Sequence, residues 1–161
     1  MILGNQVEWA LHCMTVLGRM PEGVQVSAKL LAEFHGVPKE YLSKAMQALA
    51  AAGLVNTTPG PKGGYSLSRA PSKITMLDIV EAVEGKKVTF NCQEIRGNIP
   101  CKGKPAKPTS VCTIASVMYK ADNAWRDVLR KQKLSDMISS VIEVVPEDAL
   151  EYSNNWLFEK N

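Results

Sequence analysis

What this 161-residue sequence has little of narrows its function first. No stretch approaches the roughly 18 uninterrupted apolar residues of a membrane span, and Met-Ile-Leu-Gly-Asn-Gln-Val-Glu at the start has no basic region of a secretory signal. A cytosolic protein is expected. Four cysteines are too few for a disulfide scaffold, and in that compartment they would stay reduced. There is no nucleophile elbow, no phosphate loop and no His–carboxylate pair of useful spacing, and Gly63-Gly64 precedes a strand rather than a helix, so nothing supports an enzyme. Internal repeats and low-complexity tracts are missing as well. With 45% hydrophobic and 22% charged residues, the chain has the balance of one compact domain with an appendage.

The net charge is only +3, too small to announce a polyanion partner by itself. Its distribution says more: +3 over residues 1–75, +5 over 76–133 and −5 over 134–161. A basic body with an acidic tail suits a polyanion for the body and solvent or a partner chain for the tail.

Val7, Ala10, Leu11, Met14 and Leu17 recur at helical spacing, which predicts a first helix over 5–20 stopped by Pro21 and Gly23. Cys13 falls on its apolar side and is expected in the core. Ser27 is placed to cap a short helix from Ala28 to His35, and Gly36 to end it in a left-handed conformation. Pro38 opens a third helix that runs to about Ala52, with Leu42, Ala45, Met46 and Leu49 as its apolar stripe. Two helices joined by so short a turn have helix-turn-helix form, and the second bears a polar, partly basic face. Two short strands around Pro59-Gly-Pro-Lys-Gly-Gly then read as a wing. The expected fold is mainly α with a small β wing: a winged helix-turn-helix domain over 1–85 followed by a long dimerisation helix.

Thr75 and Asp78 form a capping-box pattern for a helix through Glu84. Periodicity is lost over 86–112, the segment carrying Cys92, Cys101 and Cys112, and returns in a long helix from about Thr113 to Lys133, within a dimerisation segment taken as 113–140. Its stripe of Ile114, Val117, Met118, Ala121, Ala124, Trp125, Val128 and Leu129 has little domain left to pack on, which predicts a homodimer interface. Residues 141–161 form a tail to which the sequence assigns no role.

Gly60-Pro61-Lys62-Gly63-Gly64-Tyr65, Leu77-Asp78-Ile79-Val80-Glu81-Ala82-Val83-Glu84-Gly85 and Gly36-Val37-Pro38-Lys39-Glu40-Tyr41-Leu42 together resemble the IscR/NsrR/CymR-type family of bacterial winged-helix transcription regulators. The resemblance covers residues 1 to 140. It implies a homodimer on a pseudo-palindromic operator, usually as a repressor, with an iron-sulfur cluster in some members and no metal in others. Two features depart from the family pattern. The loop cysteines stand farther apart, with eight and ten intervening residues, and Pro59 occupies the place where many relatives have Arg ahead of the wing Gly-Pro.

Three cysteines interleaved with Lys102, Lys104 and Lys107 look like ligands, because nearby cations favour the thiolate. Structural zinc usually wants paired Cys-x-x-Cys knuckles, which are absent; a metal-free loop of redox-active thiols and an iron-sulfur cluster are the other readings, the cluster leading. By resemblance to members that use two cysteines about twenty positions apart, the cluster ligands would be Cys92, Cys112, His35 and a partner chain's Glu8, a mixed set suited to a 2Fe-2S centre. Cys101 would be a spare or exchangeable ligand, or one of three cysteine ligands in the alternative set. In isolation His35 reads as a helix-terminal histidine and Glu8 as a solvated face residue. Candidate contacts to double-stranded DNA are Ser27 and Lys29 at the second helix, Lys39, Tyr41, Ser43, Lys44 and Gln47 on the recognition helix, and Gly60, Lys62, Gly63 and Gly64 in the wing.

Overall fold

In the computed structural model, which describes residues 3–60, 63–98 and 109–160, the caps legible in the sequence delimit the first helices. Helix α1 is Asn5–Arg19, α2 is Ala28–His35 and α3 is Lys39–Ala51. Ser27 accepts a hydrogen bond from the Leu30 N–H at 3.1 Å, and Gly36 ends α2 at φ 63°, ψ 34°. Pro38 is the N-cap of α3 rather than its first helical residue. Strands β1 (Val55–Thr58) and β2 (Gly64–Leu67) pair antiparallel, from Val55 opposite Leu67 to Thr58 opposite Gly64. Helix α4 is Met76–Glu84, with both hydrogen bonds of the Thr75–Asp78 capping box formed.

One core joins these elements. Ala10, Cys13, Met14 and Leu17 of α1 meet Leu42, Ala45, Met46 and Leu49 of α3, with Leu31, Leu54, Ile74 and Ile79 closing the cluster. Cys13 is fully buried, and burial pushes its thiol up to about 12. It is a core residue, as its position in the helical stripe predicts.

The long helix ends near the expected Lys133: α5 spans Thr113–Lys131, α6 spans Leu134–Val144, and α7 spans Glu147–Lys160, beginning where Pro146, Glu147 and Asp148 offer a helix start. The break has a tertiary cause: Met76 N–H donates to the Gln132 carbonyl and Leu134 N–H to the Ile74 carbonyl, both at 2.9 Å. The backbone between α5 and α6 is thereby drawn out of the helix into a bridge with the start of α4, and Leu134 is fully buried beneath it. On α5, Ile114, Val117 and Val128 remain more than 60% exposed, an apolar face with no partner within the described protomer. No helix among the described residues is long and apolar enough to cross a membrane.

Candidate functional site

Helix α3 turns its apolar stripe inward, and that leaves Lys39, Tyr41, Lys44 and Gln47 exposed and Ser43 half-buried. The Lys44 ammonium lies 5.6 Å from the Tyr41 ring centroid, so the two form one cationic and aromatic patch. Lys29 is exposed in the first turn of α2, and Ser27 keeps its hydroxyl proton free while its oxygen caps that helix. Gly60 is exposed at φ 105°, whereas Lys62 lies outside the described residues.

Gly63 and Gly64, expected as DNA contacts, also stand close against the protein's own backbone. A Cβ on Gly63 would collide with the Thr58 carbonyl across the hairpin, and Gly64 is buried with its Cα against the backbone of Val26 and Ser27. The glycines let the wing seat on the segment that caps α2. Tyr65 and Val26 exchange two backbone hydrogen bonds of 2.9 Å at that seat.

The cysteine loop is organised by Arg96, which lies in a short 3-10 turn over Ile95–Asn98. Its guanidinium binds Glu94 and donates to the Ser110 carbonyl at 2.7 Å, which ties the turn to the entry of α5. The Arg96 pKa is raised, first by the Glu94 hydrogen bond and also by the thiol groups of Cys112 and Cys92, so one cation sits within electrostatic reach of both cysteines. Cys112 is the N-cap residue of α5. Its thiol makes no full capping hydrogen bond, yet the Ala115 N–H, then that of Ile114, and the Arg96 charge hold its pKa below the ordinary thiol value. Cys101 lies outside the described residues.

Glu8 and His35 come together elsewhere. With Trp9, His12 and Val37 they line a pocket of about 200 Å³ between α1 and α2. The His35 Nε2 is buried with no hydrogen-bond partner among the described residues, and burial, then His12 and Arg19, lowers its pKa to about 4. His35 therefore presents a neutral ring with an unused nitrogen. Its ring centroid stands 5.7 Å from that of His12, a residue the sequence reading missed although it follows Glu8 by one helical turn. Among the described residues no three His, Cys, Asp or Glu side chains form a group that could hold a metal ion. Within the described protomer Glu8 and His35 line one pocket, while Arg96 lies within electrostatic reach of Cys92 and Cys112.

A buried polar network connects the loop to the winged domain. Asp122 of α5, 8% exposed, accepts from the Thr89 hydroxyl at 2.7 Å, from the Trp125 indole at 3.0 Å and from Arg126 at 3.1 Å. Arg126 reaches on to Glu81 of α4 at 2.6 Å and to the Lys87 carbonyl. The hydrogen bonds, that of Thr89 foremost, bring the Asp122 carboxyl down to about 2. Only the Asp122–Arg126 spacing hinted at this; Thr89 and Glu81 are 33 and 45 residues from their partners.

The sequence model of Rrf2, described as an iron-dependent transcriptional regulator, matches residues 3–140. The chain belongs to the Rrf2 family. Among its Rrf2-type relatives, YwgB of Bacillus subtilis is 25% identical over 160 residues, covering 99% of this chain and 97% of YwgB. The transcriptional regulator NsrR of Geobacillus kaustophilus is 27% identical over 138 residues, covering 86% and 90%. In fold, the chain superposes on CymR, the global cysteine regulator of B. subtilis, with a TM-score of 0.68 at 23% identity, covering 87% of this chain and 98% of CymR. IscR of T. potens gives 0.67 at 24% identity, covering 94% and 97%. These two likenesses speak to the Rrf2 fold alone. The protein is a winged-helix, DNA-binding transcriptional regulator and not an enzyme.

Proposed function

We propose that this Rrf2-family regulator binds a pseudo-palindromic operator as a homodimer, acts as a repressor, and senses its signal through the thiols of the 86–112 loop. The observation that carries the sensing is Cys112 at the first turn of α5, with its pKa lowered and Arg96 close to both it and Cys92. Such a thiolate attacks a disulfide of a small thiol, forms a mixed disulfide and expels the other half as thiolate. The same turn leads into the exposed Ile114–Val117–Val128 face that a second copy would cover, and α5 is bonded through Arg126 to α4. A modified Cys112 can therefore bear on dimer geometry and on the winged domain together.

The test uses duplex DNA selected by the purified protein from a random pool, with a shuffled duplex as control. Treatment with a small-molecule disulfide should change affinity for the selected duplex, dithiothreitol should restore it, and Cys112→Ser should abolish the response. Equal affinity before and after treatment, with the mixed disulfide at Cys112 verified by mass, would refute thiol sensing.

A second reading has one specific observation behind it, the unpartnered, neutral His35 Nε2 facing the Glu8 pocket. Cys92, Cys112, His35 and Glu8 are donors suited to a 2Fe-2S cluster, which would supply one-electron redox chemistry. Glu8 and His35 line one pocket, so in this reading one protomer contributes both and its partner the two cysteines. The family description as iron-dependent favours this reading. Red-brown colour in anaerobically purified protein, lost in Cys92→Ser and Cys112→Ser, supports it; colourless protein without iron or zinc leaves the thiol reading, in which Cys101 also stays available for disulfide chemistry.

A further inference from the structure

Helix α7 lies beyond residue 140, outside the stretch that the Rrf2 sequence model matches, and yet it is docked on the helix-turn-helix. Leu157 is 1% exposed and belongs to the same apolar cluster as α1, α2 and α3. Trp156 packs on Phe34 with ring centroids 5.7 Å apart, and Phe34 meets His35 edge-on at 5.0 Å. Lys160 pairs with Glu33 and lies 4.5 Å from the centroid of Trp156. Three consecutive residues of α2, Glu33, Phe34 and His35, are thus engaged directly or through one ring by the last turns of α7.

These residues are the final turn of α2, followed at once by Gly36, the left-handed hinge of the turn, and by Pro38 at the start of α3. Whatever fixes the end of α2 fixes the direction in which the turn launches the recognition helix. Without α7, the outer side of that turn would face water, and Phe34 would lose the Trp156 ring that covers it. The acidic charge of α7 does not account for the docking, because its points of attachment are one apolar side chain, one aromatic stack and one cation.

We propose that α7 is a positioning element for DNA recognition, a strap that clamps the Glu33–His35 turn and so sets the pose of α3. Leu157, Trp156 and Lys160 are its positioning residues, and none of them touches DNA. The proposal rests on the DNA-binding role of α3 and goes beyond it, since α3 could read DNA whether or not a strap holds it.

The measured quantity is the ratio of affinities for the selected and the shuffled duplex, which a uniform change in protein charge leaves nearly constant. Leu157→Ala should release α7, seen as faster hydrogen exchange over residues 147–160, and lower the ratio about tenfold, the size of an ordinary coupling between sites. Lys160→Glu should lower it about threefold, and Glu33→Lys added to Lys160→Glu should restore the ratio by re-forming the pair with its signs exchanged. A ratio unchanged by Leu157→Ala although α7 exchanges freely would overturn the proposal. So would failure of the swapped pair to recover what Lys160→Glu lost, and this second result applies even if Leu157→Ala does not fold. Selection of a duplex by the wild type stands independently of both outcomes, so loss of the strap and loss of the DNA-binding reading are distinguishable.

Discussion

Gly64→Ala is the substitution whose effect can be worked out most directly from the geometry. A Cβ built on Gly64 lies 2.6 Å from the Val26 carbonyl carbon, 2.7 Å from its oxygen and 2.9 Å from the Ser27 nitrogen. All three are backbone atoms, so no side-chain rotation relieves the overlap. The wing must lift away, and the two 2.9 Å bonds between Val26 and Tyr65 are then lengthened or lost. At about 0.5–1.5 kcal/mol net for each hydrogen bond, the loss is about 1–3 kcal/mol. Alanine returns about 0.4–1 kcal/mol by restricting the unfolded chain, which leaves a destabilisation on the order of 1–2 kcal/mol. Gly97→Ala serves as a control, because none of the described residues stands within 4 Å of a Cβ there. Urea unfolding should show a lower midpoint with an unchanged slope for Gly64→Ala and little change for Gly97→Ala. Affinity for shuffled DNA should also fall, since the wing is no longer held beside the start of α2. A Gly64→Ala midpoint within error of the wild type would refute the steric argument.

Lys44→Ala should cost discrimination between selected and shuffled duplexes by about 1–3 kcal/mol if its ammonium reads a base edge, whereas Lys39→Ala should chiefly reduce the salt dependence of binding; titrations at several salt concentrations separate the two. Val117→Glu places a charge in the exposed apolar face of α5 and should convert a dimer to monomer in sedimentation, and an unchanged mass would remove that face from the interface. Asp122 has its carboxyl depressed from 3.8 to about 2, so its contribution to stability is complete above pH 4 and is lost as pH falls towards 2. Wild type should therefore lose stability faster than Asp122→Asn between those pH values, and parallel curves would count against the network.

Much of the winged domain was legible because its signals are local. Ser27, Gly36, Thr75 with Asp78, and the apolar spacing of α3 each act within one or two helical turns, and their hydrogen bonds span three residues or four. The exposed polar face of α3 followed from the same period. The glycines of the wing were recognised as a tip, but their seat against Val26 was not, since that contact is made across almost forty residues.

The sequence by itself determined the order of elements through α5, the family, the helix-turn-helix and the core position of Cys13. Only the tertiary structure gave the reason the long helix breaks there, because residues 132–134 leave it to bond Ile74 and Met76. It alone placed Glu8, His35 and His12 around one pocket and Arg96 within reach of Cys92 and Cys112, and seated α7 on α2. Helix caps and amphipathic stripes are read from neighbours in the chain, whereas a contact such as Lys160 with Glu33, 127 residues apart, depends on the path of everything folded between them.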